Sequence, residues 1–150
     1  MSGRRVVVTG LGAISPVGND VLASWNSLLG GKSGISKITA FDASEFDSQI
    51  AGEVKNFDVL KCVSLKESKR MERFVQFAVF TAKQALTSSG IDISKEDPYR
   101  VGVLVGSGVG SLHVMEEQCR IYEDKGPSRI SPFMIPLLIV NEAAGNVSIA

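Results

Sequence analysis

The chain has 150 residues, 44% of them hydrophobic and 21% charged, the balance of a packed globular protein rather than a disordered one. Sixteen basic side chains cancel sixteen acidic ones, so no global field draws the chain to nucleic acid or to an anionic membrane. A domain of this length is expected to bury roughly 70% of its unfolded surface.

Residues 4–9 read as a short strand, β-branched, apolar on both faces and stopped by Gly10. Asn19 or Asp20 is placed to cap a helix running to about Leu29, with Val21, Leu22, Trp25, Leu28 and Leu29 on its apolar side and Gly30-Gly31 at its end. A loop rich in Ser, Gly and Lys follows, and Ile50 to Val54 has the pattern of a second short strand. The spacing of Phe74, Phe77, Ala78, Ala82, Ala85 and Leu86 predicts one long helix from Leu65 to about Ser89, with Gly90 as its stop. Val75, Val79 and Phe80 widen its apolar face, so its second half is expected in the core. "YRVGVLVGSGVGS" repeats the opening theme of strand and glycine loop, followed by a helix over about Leu112 to Lys125. The final stretch, "SPFMIPLLIVNEAAGNVSIA", predicts an apolar turn and a helix starting near Pro136. This alternation is that of an α/β fold with a largely parallel sheet covered by helices. No stretch approaches the ~20 apolar residues of a membrane span. Gly10, Gly12 and Pro16 interrupt the leading apolar run too early for a secretory signal.

The first glycine loop poses the question of a nucleotide. A dinucleotide loop needs Gly-x-Gly-x-x-Gly with the helix N-terminus facing the pyrophosphate. Here Ser15 stands at the sixth position, Pro16 follows it, and residues 31–40 contain no acidic side chain to take a ribose hydroxyl. The second loop, Gly106 to Gly110, has neither that spacing nor a Gly-Lys-Ser/Thr ending. The glycines of the first loop are therefore expected to serve close helix–strand packing, and a nucleotide-binding oxidoreductase is the disfavoured alternative. Two cysteines, Cys62 and Cys119, are too few for a disulfide scaffold and lack metal-ligand spacing, which points to a reducing, cytoplasmic setting and to no metal site.

Longer patterns are more specific. "RRVVVTGLGAISPVGN", "GKSGI", "FDAS", "IAGEVKNFD", "RMERFVQFA", "VGVLVGSGVG" and "GPSRISPFMIP", in this order, resemble the amino-terminal portion of the β-ketoacyl-acyl-carrier-protein synthases. The elongating type II enzymes of fatty acid synthesis are the nearest, with type I and polyketide ketosynthases as alternatives. The resemblance runs from residue 3 to Ala150. It implies a thiolase-like α/β fold, of which residues 1–150 form the amino-terminal part of the first βαβα half, truncated before the nucleophile turn. It also implies a homodimer, no bound cofactor, and substrates carried on the phosphopantetheine of acyl carrier protein in the cytoplasm, or in a plastid for a plant or alga.

The reaction implied is a decarboxylating Claisen condensation of acyl and malonyl thioesters. It uses a cysteine thiolate, two histidines and an oxyanion hole. In the family the nucleophile lies shortly beyond the region matching Ala150, and both histidines come later. Cys62, in "LKCVSLKE", matches no catalytic motif; Cys119 falls in mid-helix and His113 is the lone histidine. No catalytic residue is expected in this chain, and residues 1–150 are expected to be inactive alone. A non-catalytic fragment that binds carrier protein or complements a separate second half is the alternative from another class.

Two functional surfaces are implied within the chain. By resemblance Val109 and Leu112 line the acyl pocket, and Phe133 and Met134 lie near the dimer seam, where one closes the partner's pocket. On spacing alone, Lys66, Lys69, Arg70 and Arg73 can share a helical face, although Glu67 and Glu72 partly neutralise it. By resemblance Lys66, Lys69, Arg70 and Arg129 dock the acidic carrier protein.

Overall fold

The computed structural model describes residues 3–150. Its helices are α1 (Val21–Leu29), α2 (Leu65–Ser68), α3 (Arg73–Ser89), α4 (Leu112–Lys125), α5 (Met134–Leu138) and α6 (Glu142–Ile149). Its strands are β1 (Ile35–Lys37) and β2 (Ile50–Gly52), paired antiparallel with Ile35 opposite Gly52, Ser36 opposite Ala51 and Lys37 opposite Ile50. Two compact units are formed. One comprises the residues up to Asp58 with Lys83–Ile91, the other Val59–Ala82 with Asp92–Ala150.

In the first unit Asp20 caps α1, its carboxylate accepting from Ala23 N at 2.7 Å. The burial of α1 is the reverse of the expected one. Ser24 is its buried residue, while Leu22, Trp25, Leu28 and Leu29 are all more than half exposed. The reason lies in the turn before it. Ser15 N donates to Gly18 O at 2.8 Å and Gly18 N returns to Ser15 O at 3.2 Å. A β-carbon on Gly18 would run into the Ser24 backbone, so only the small-residue face of α1 can approach this turn.

The turn is in turn fastened to α3. Gln84 accepts from Ala13 N at 3.0 Å through Oε1 and donates from Nε2 to Asn19 O at 2.8 Å, bracketing the loop at both ends. A β-carbon on Gly10 would strike the Ala85 carbonyl oxygen and the Ser89 backbone. This is the close packing expected of the first glycine loop. Val17 N is also satisfied internally, by Ser15 Oγ at 3.3 Å. The amides of Ala13, Ser15, Val17 and Gly18 thus face protein groups, an arrangement at odds with a phosphate cradle.

The second unit holds the buried core. Val75 and Val79, both essentially inaccessible, pack with Val63 and are flanked by Val59, Cys62, Met71, Phe74 and Val147. Each buried valine contributes about 1.5–3 kcal/mol relative to exposure. The two inaccessible valines are those read from the sequence as widening the apolar face of this helix, and burial extends to Ala85; beyond it Leu86, Thr87 and Ser88 are exposed.

The single helix expected from Leu65 is broken. A capping box at Ser64 and Glu67 starts α2, with Glu67 N donating to Ser64 Oγ at 3.2 Å and Ser64 N to Glu67 Oε2 at 2.7 Å. The helix stops after Ser68, and the Gln76 amide takes up the Ser68 and Met71 carbonyls at 3.1 and 2.9 Å. Helix α4 has the bounds read from the sequence. Pro136 sits third in α5 rather than first. That position costs no hydrogen bond, because the N–H groups of a first turn have no intrahelical partner.

Two expected strands are not paired. Residues 4–9 and 101–105 carry no ladder among the described residues, and Val6, Val8 and Leu104 are 88%, 79% and 98% exposed. The sequence marks such runs as strand-prone, but a strand exists only with a partner, and neither run has a ladder partner among the described residues. The strand β1 was not expected at all; its three residues, Ile-Ser-Lys, are too short to show a period.

Glu53, just past β2, accepts from Thr39 Oγ1 at 2.6 Å, Thr39 N at 2.9 Å and Ala40 N at 3.0 Å, fixing the chain leaving β1. The Thr39 hydroxyl first, then the Thr39 amide, holds this carboxyl below its ordinary value of 4.5. A depressed carboxylate pKa adds stability that is present above the unfolded value and lost as pH falls through the folded one. Glu53→Ala is therefore expected to lower the melting temperature at neutral pH, with the gap from wild type narrowing as pH falls below 4.5. A gap that stays constant down to strongly acidic pH contradicts this.

Candidate functional site

The candidate site is built in the second unit from the glycine loop 106–110, the start of α4 and the turn leading into α5. Gly110 has φ +79°, and a β-carbon there would strike the Leu138 carbonyl oxygen. Both features demand glycine. Gly110 N donates to Ser107 Oγ at 3.2 Å and Ser111 N to Leu138 O at 3.2 Å, so the loop is fastened to itself and to the end of α5.

Ser111 caps α4, its hydroxyl oxygen accepting from Val114 N at 3.3 Å while its proton goes to Glu72 Oε2 at 3.0 Å. One turn further on, the buried Gln118 accepts from Ser131 N at 2.7 Å and ties down the Ser131-Pro132-Phe133 turn. Helix α4 packs on α5. The two pairs read from the sequence, Val109 with Leu112 and Phe133 with Met134, are thereby carried on elements in direct contact.

None of these four residues belongs to the buried core. Val109, Leu112 and Phe133 are 57%, 61% and 54% exposed, and Met134 is half-buried. They form apolar surface available to a ligand or another chain. The residues that hold this surface in place, Glu72, Gln118 and the Gly110–Leu138 contact, escape sequence reading. Ser111 before a helix is a legible cap, but its carboxylate partner lies 39 residues away.

Lys66, Lys69 and Arg70 are exposed on α2 and the residues just after it. Arg73 does not extend that face. The break before α3 interrupts the helical spacing, and its guanidinium lies over the Phe77 ring, 4.9 Å from the centroid. Arg129 is exposed at the end of the 3₁₀ turn Pro127–Arg129, which packs on α4.

The remaining reactive side chains are placed as ordinary ones. Cys62 is partly buried beside the valine core, its thiol donating to Val59 O at 3.3 Å. Cys119 and His113 are exposed on α4. Cys119 is beyond the first turn, outside the reach of the helix N-terminus. Among the described residues no group of three or more His, Cys, Asp or Glu is arranged to hold a metal ion. No helix among them is long and apolar enough to cross a membrane. A cleft of about 180 Å³ in the first unit, lined by Lys37, Ile38, Phe41, Asp42, Ala43, Ser44 and Gln49, shares no residue with the candidate site. It is smaller than the ~300–1,000 Å³ of usual ligand pockets.

The path of the backbone, helices included, is that of a thiolase-like ketosynthase. A solved type II PKS acyl-carrier protein in complex with its ketosynthase superposes with a TM-score of 0.79, at 25% identity, over 95% of this chain and 37% of that one. The match to the family described as "Beta-ketoacyl synthase, N-terminal domain" covers residues 3–150, and the chain belongs to that family. It is 48% identical, over 99% of its length, to the 3-oxoacyl-[acyl-carrier-protein] synthase 2 of Vibrio harveyi, and 49% identical, over 97%, to that of Synechocystis sp.. The chain spans 36% and 35% of those two relatives, about a third of the length of the curated proteins it matches.

The geometry at Gly110 makes one substitution decisive. Gly110→Ala combines an unfavourable φ with a collision against a backbone carbonyl, and is expected to cost about 3 kcal/mol or more. Urea denaturation of the full-length protein checks this. A loss under about 0.5 kcal/mol, the level of an ordinary surface substitution, contradicts it.

Proposed function

We propose that this chain supplies the amino-terminal part of an acyltransferase of fatty acid chain elongation, a 3-oxoacyl-acyl-carrier-protein synthase II. The observation that carries the reading is the 48% identity, across 99% of this chain, to a relative bearing that name. In the reaction, a cysteine thiolate attacks the acyl thioester, forming a new thioester and releasing the carrier thiol. The malonyl thioester then loses CO2. The resulting enolate carbon attacks the acyl carbonyl, forming the C–C bond and expelling the cysteine thiolate. Two histidines and backbone N–H groups stabilise the enolate and the tetrahedral oxyanion. The reaction needs no bound cofactor. The site of Cys62 and Cys119 described above suits neither to the nucleophile's role, so the catalytic groups are assigned outside residues 1–150.

In this reading the chain contributes the acyl-lining residues Val109 and Leu112. Phe133 and Met134 lie at the seam of a homodimer. Lys66, Lys69, Arg70 and Arg129 receive acyl carrier protein, which delivers the substrate on its phosphopantetheine arm. The exposure of all four cations supports docking, as does the carrier protein held by a ketosynthase of similar fold. A cytoplasmic enzyme is the corresponding setting.

The full-length protein is expected to release CO2 from a malonyl-carrier thioester only when an acyl-carrier is also supplied, while residues 1–150 alone release none. Absence of acyl-dependent decarboxylation by the full-length protein overturns the reading. Rim charges act mainly on encounter and are screened by salt. Lys66→Glu with Lys69→Glu is therefore expected to raise KM for carrier substrates by about tenfold at low ionic strength, less at high salt, with kcat nearly unchanged. An unaltered KM removes the docking assignment.

A further inference from the structure

We propose that Glu72 is a positioning residue for acyl-chain selection, acting through Ser111 on the loop that carries Val109 and Leu112. This rests on the condensing-enzyme reading and deepens it. Ser111 is one of three buried polar residues among the described residues. Its hydroxyl has one proton to give, and gives it to Glu72 Oε2 at 3.0 Å. The same oxygen accepts the Val114 amide, and the Ser111 amide is held by Leu138 O. Each route by which Ser111 can move is thereby closed from a different element: α4, the end of α5, and the residue that opens α3.

Of these restraints, only the bond to Glu72 comes from another side chain. A hydrogen bond is stronger where solvent is partly excluded. Glu72 itself is half-buried. Its action is through the serine between Gly110 and Leu112. The break between α2 and α3 makes this possible. A continuous helix over residues 65–89 would set residue 72 by helical register, whereas the interruption places it just ahead of Arg73, the first residue of α3, where its carboxylate meets Ser111.

If Glu72 only supported stability, its loss would lower activity alike for every substrate. A positioning role instead alters the ratio of kcat/KM between a long and a short acyl-carrier, because the lining loop discriminates between them. The test uses the full-length protein in four forms: wild type, Glu72→Ala, Glu72→Gln and Ser111→Ala. Amide exchange over Gly110–Val114 is measured beside kcat/KM for a short and a long acyl-carrier. In Glu72→Ala and Ser111→Ala, exchange is expected to quicken by about fivefold and the long-to-short ratio to change by about threefold, the scale of one lost hydrogen bond. Glu72→Gln keeps an acceptor oxygen and is expected to stay within about twofold of wild type in both measurements.

Unchanged exchange in Glu72→Ala overturns the proposal, and so does faster exchange with an unaltered ratio. Should Glu72→Ala fail to fold, the contrast between Glu72→Gln and Ser111→Ala decides in the same way. A wild-type protein that condenses no acyl-carrier brings down the condensing-enzyme reading, and selection by Glu72 with it. Exchange alone then still shows whether Glu72 holds the loop.

Discussion

The structure depends on one helix being approached very closely. Along its first half α3 presents Val75 and Val79, and these two side chains define the buried core of the second unit. Its second half, part of the first unit, presents Gln84, Ala85 and Ser89 to Gly10 and the loop beyond it. Neither arrangement tolerates much change. Deleting atoms from an inaccessible valine leaves a void, and adding one to Gly10 places a methyl group into a carbonyl. The same constraint recurs at the candidate site, where Gly110 meets Leu138. At Gly10 and Gly110 the absence of a side chain serves contact with a neighbouring backbone.

That reading settles what a glycine-rich opening means here. The loop from Gly10 to Gly18 resembles a nucleotide cradle in composition only. Its amides at Ala13, Ser15, Val17 and Gly18 are consumed by Gln84, by the Ser15 side chain and by the turn itself. An anion site needs such donors unspent.

What was legible in the sequence follows from the range of the forces involved. Local chemistry could be read: Asn19 or Asp20 as a cap, Gly30 and Gly31 as a stop, and α4 from Leu112 to Lys125. Features set by distant residues could not. The stripe of Leu22, Trp25 and Leu28 looked like a core face, but the packing of Gly18 selected Ser24 for burial instead. The periodicity from Leu65 to Ser89 gave no sign of the break that Gln76 seals with its side chain. The runs at 4–9 and 101–105 have the composition of strands, yet composition does not supply the neighbour that a strand requires. At the candidate site the lining residues were found through family motifs, whereas the groups that hold them, Glu72 and Gln118, are ordinary helix residues by local criteria.

The twofold grip of Gln84 has a chemical corollary. It gives and receives at once, with its oxygen toward Ala13 and its nitrogen toward Asn19, the two roles falling on different atoms of the same amide. Hydrolysis of the amide would exchange nitrogen for oxygen, add a negative charge, and turn the tooth facing the Asn19 carbonyl from attraction to repulsion. A lesion of that kind, too small to alter the hydrophobic pattern, would unlatch the opening loop while leaving every apolar contact of α3 intact.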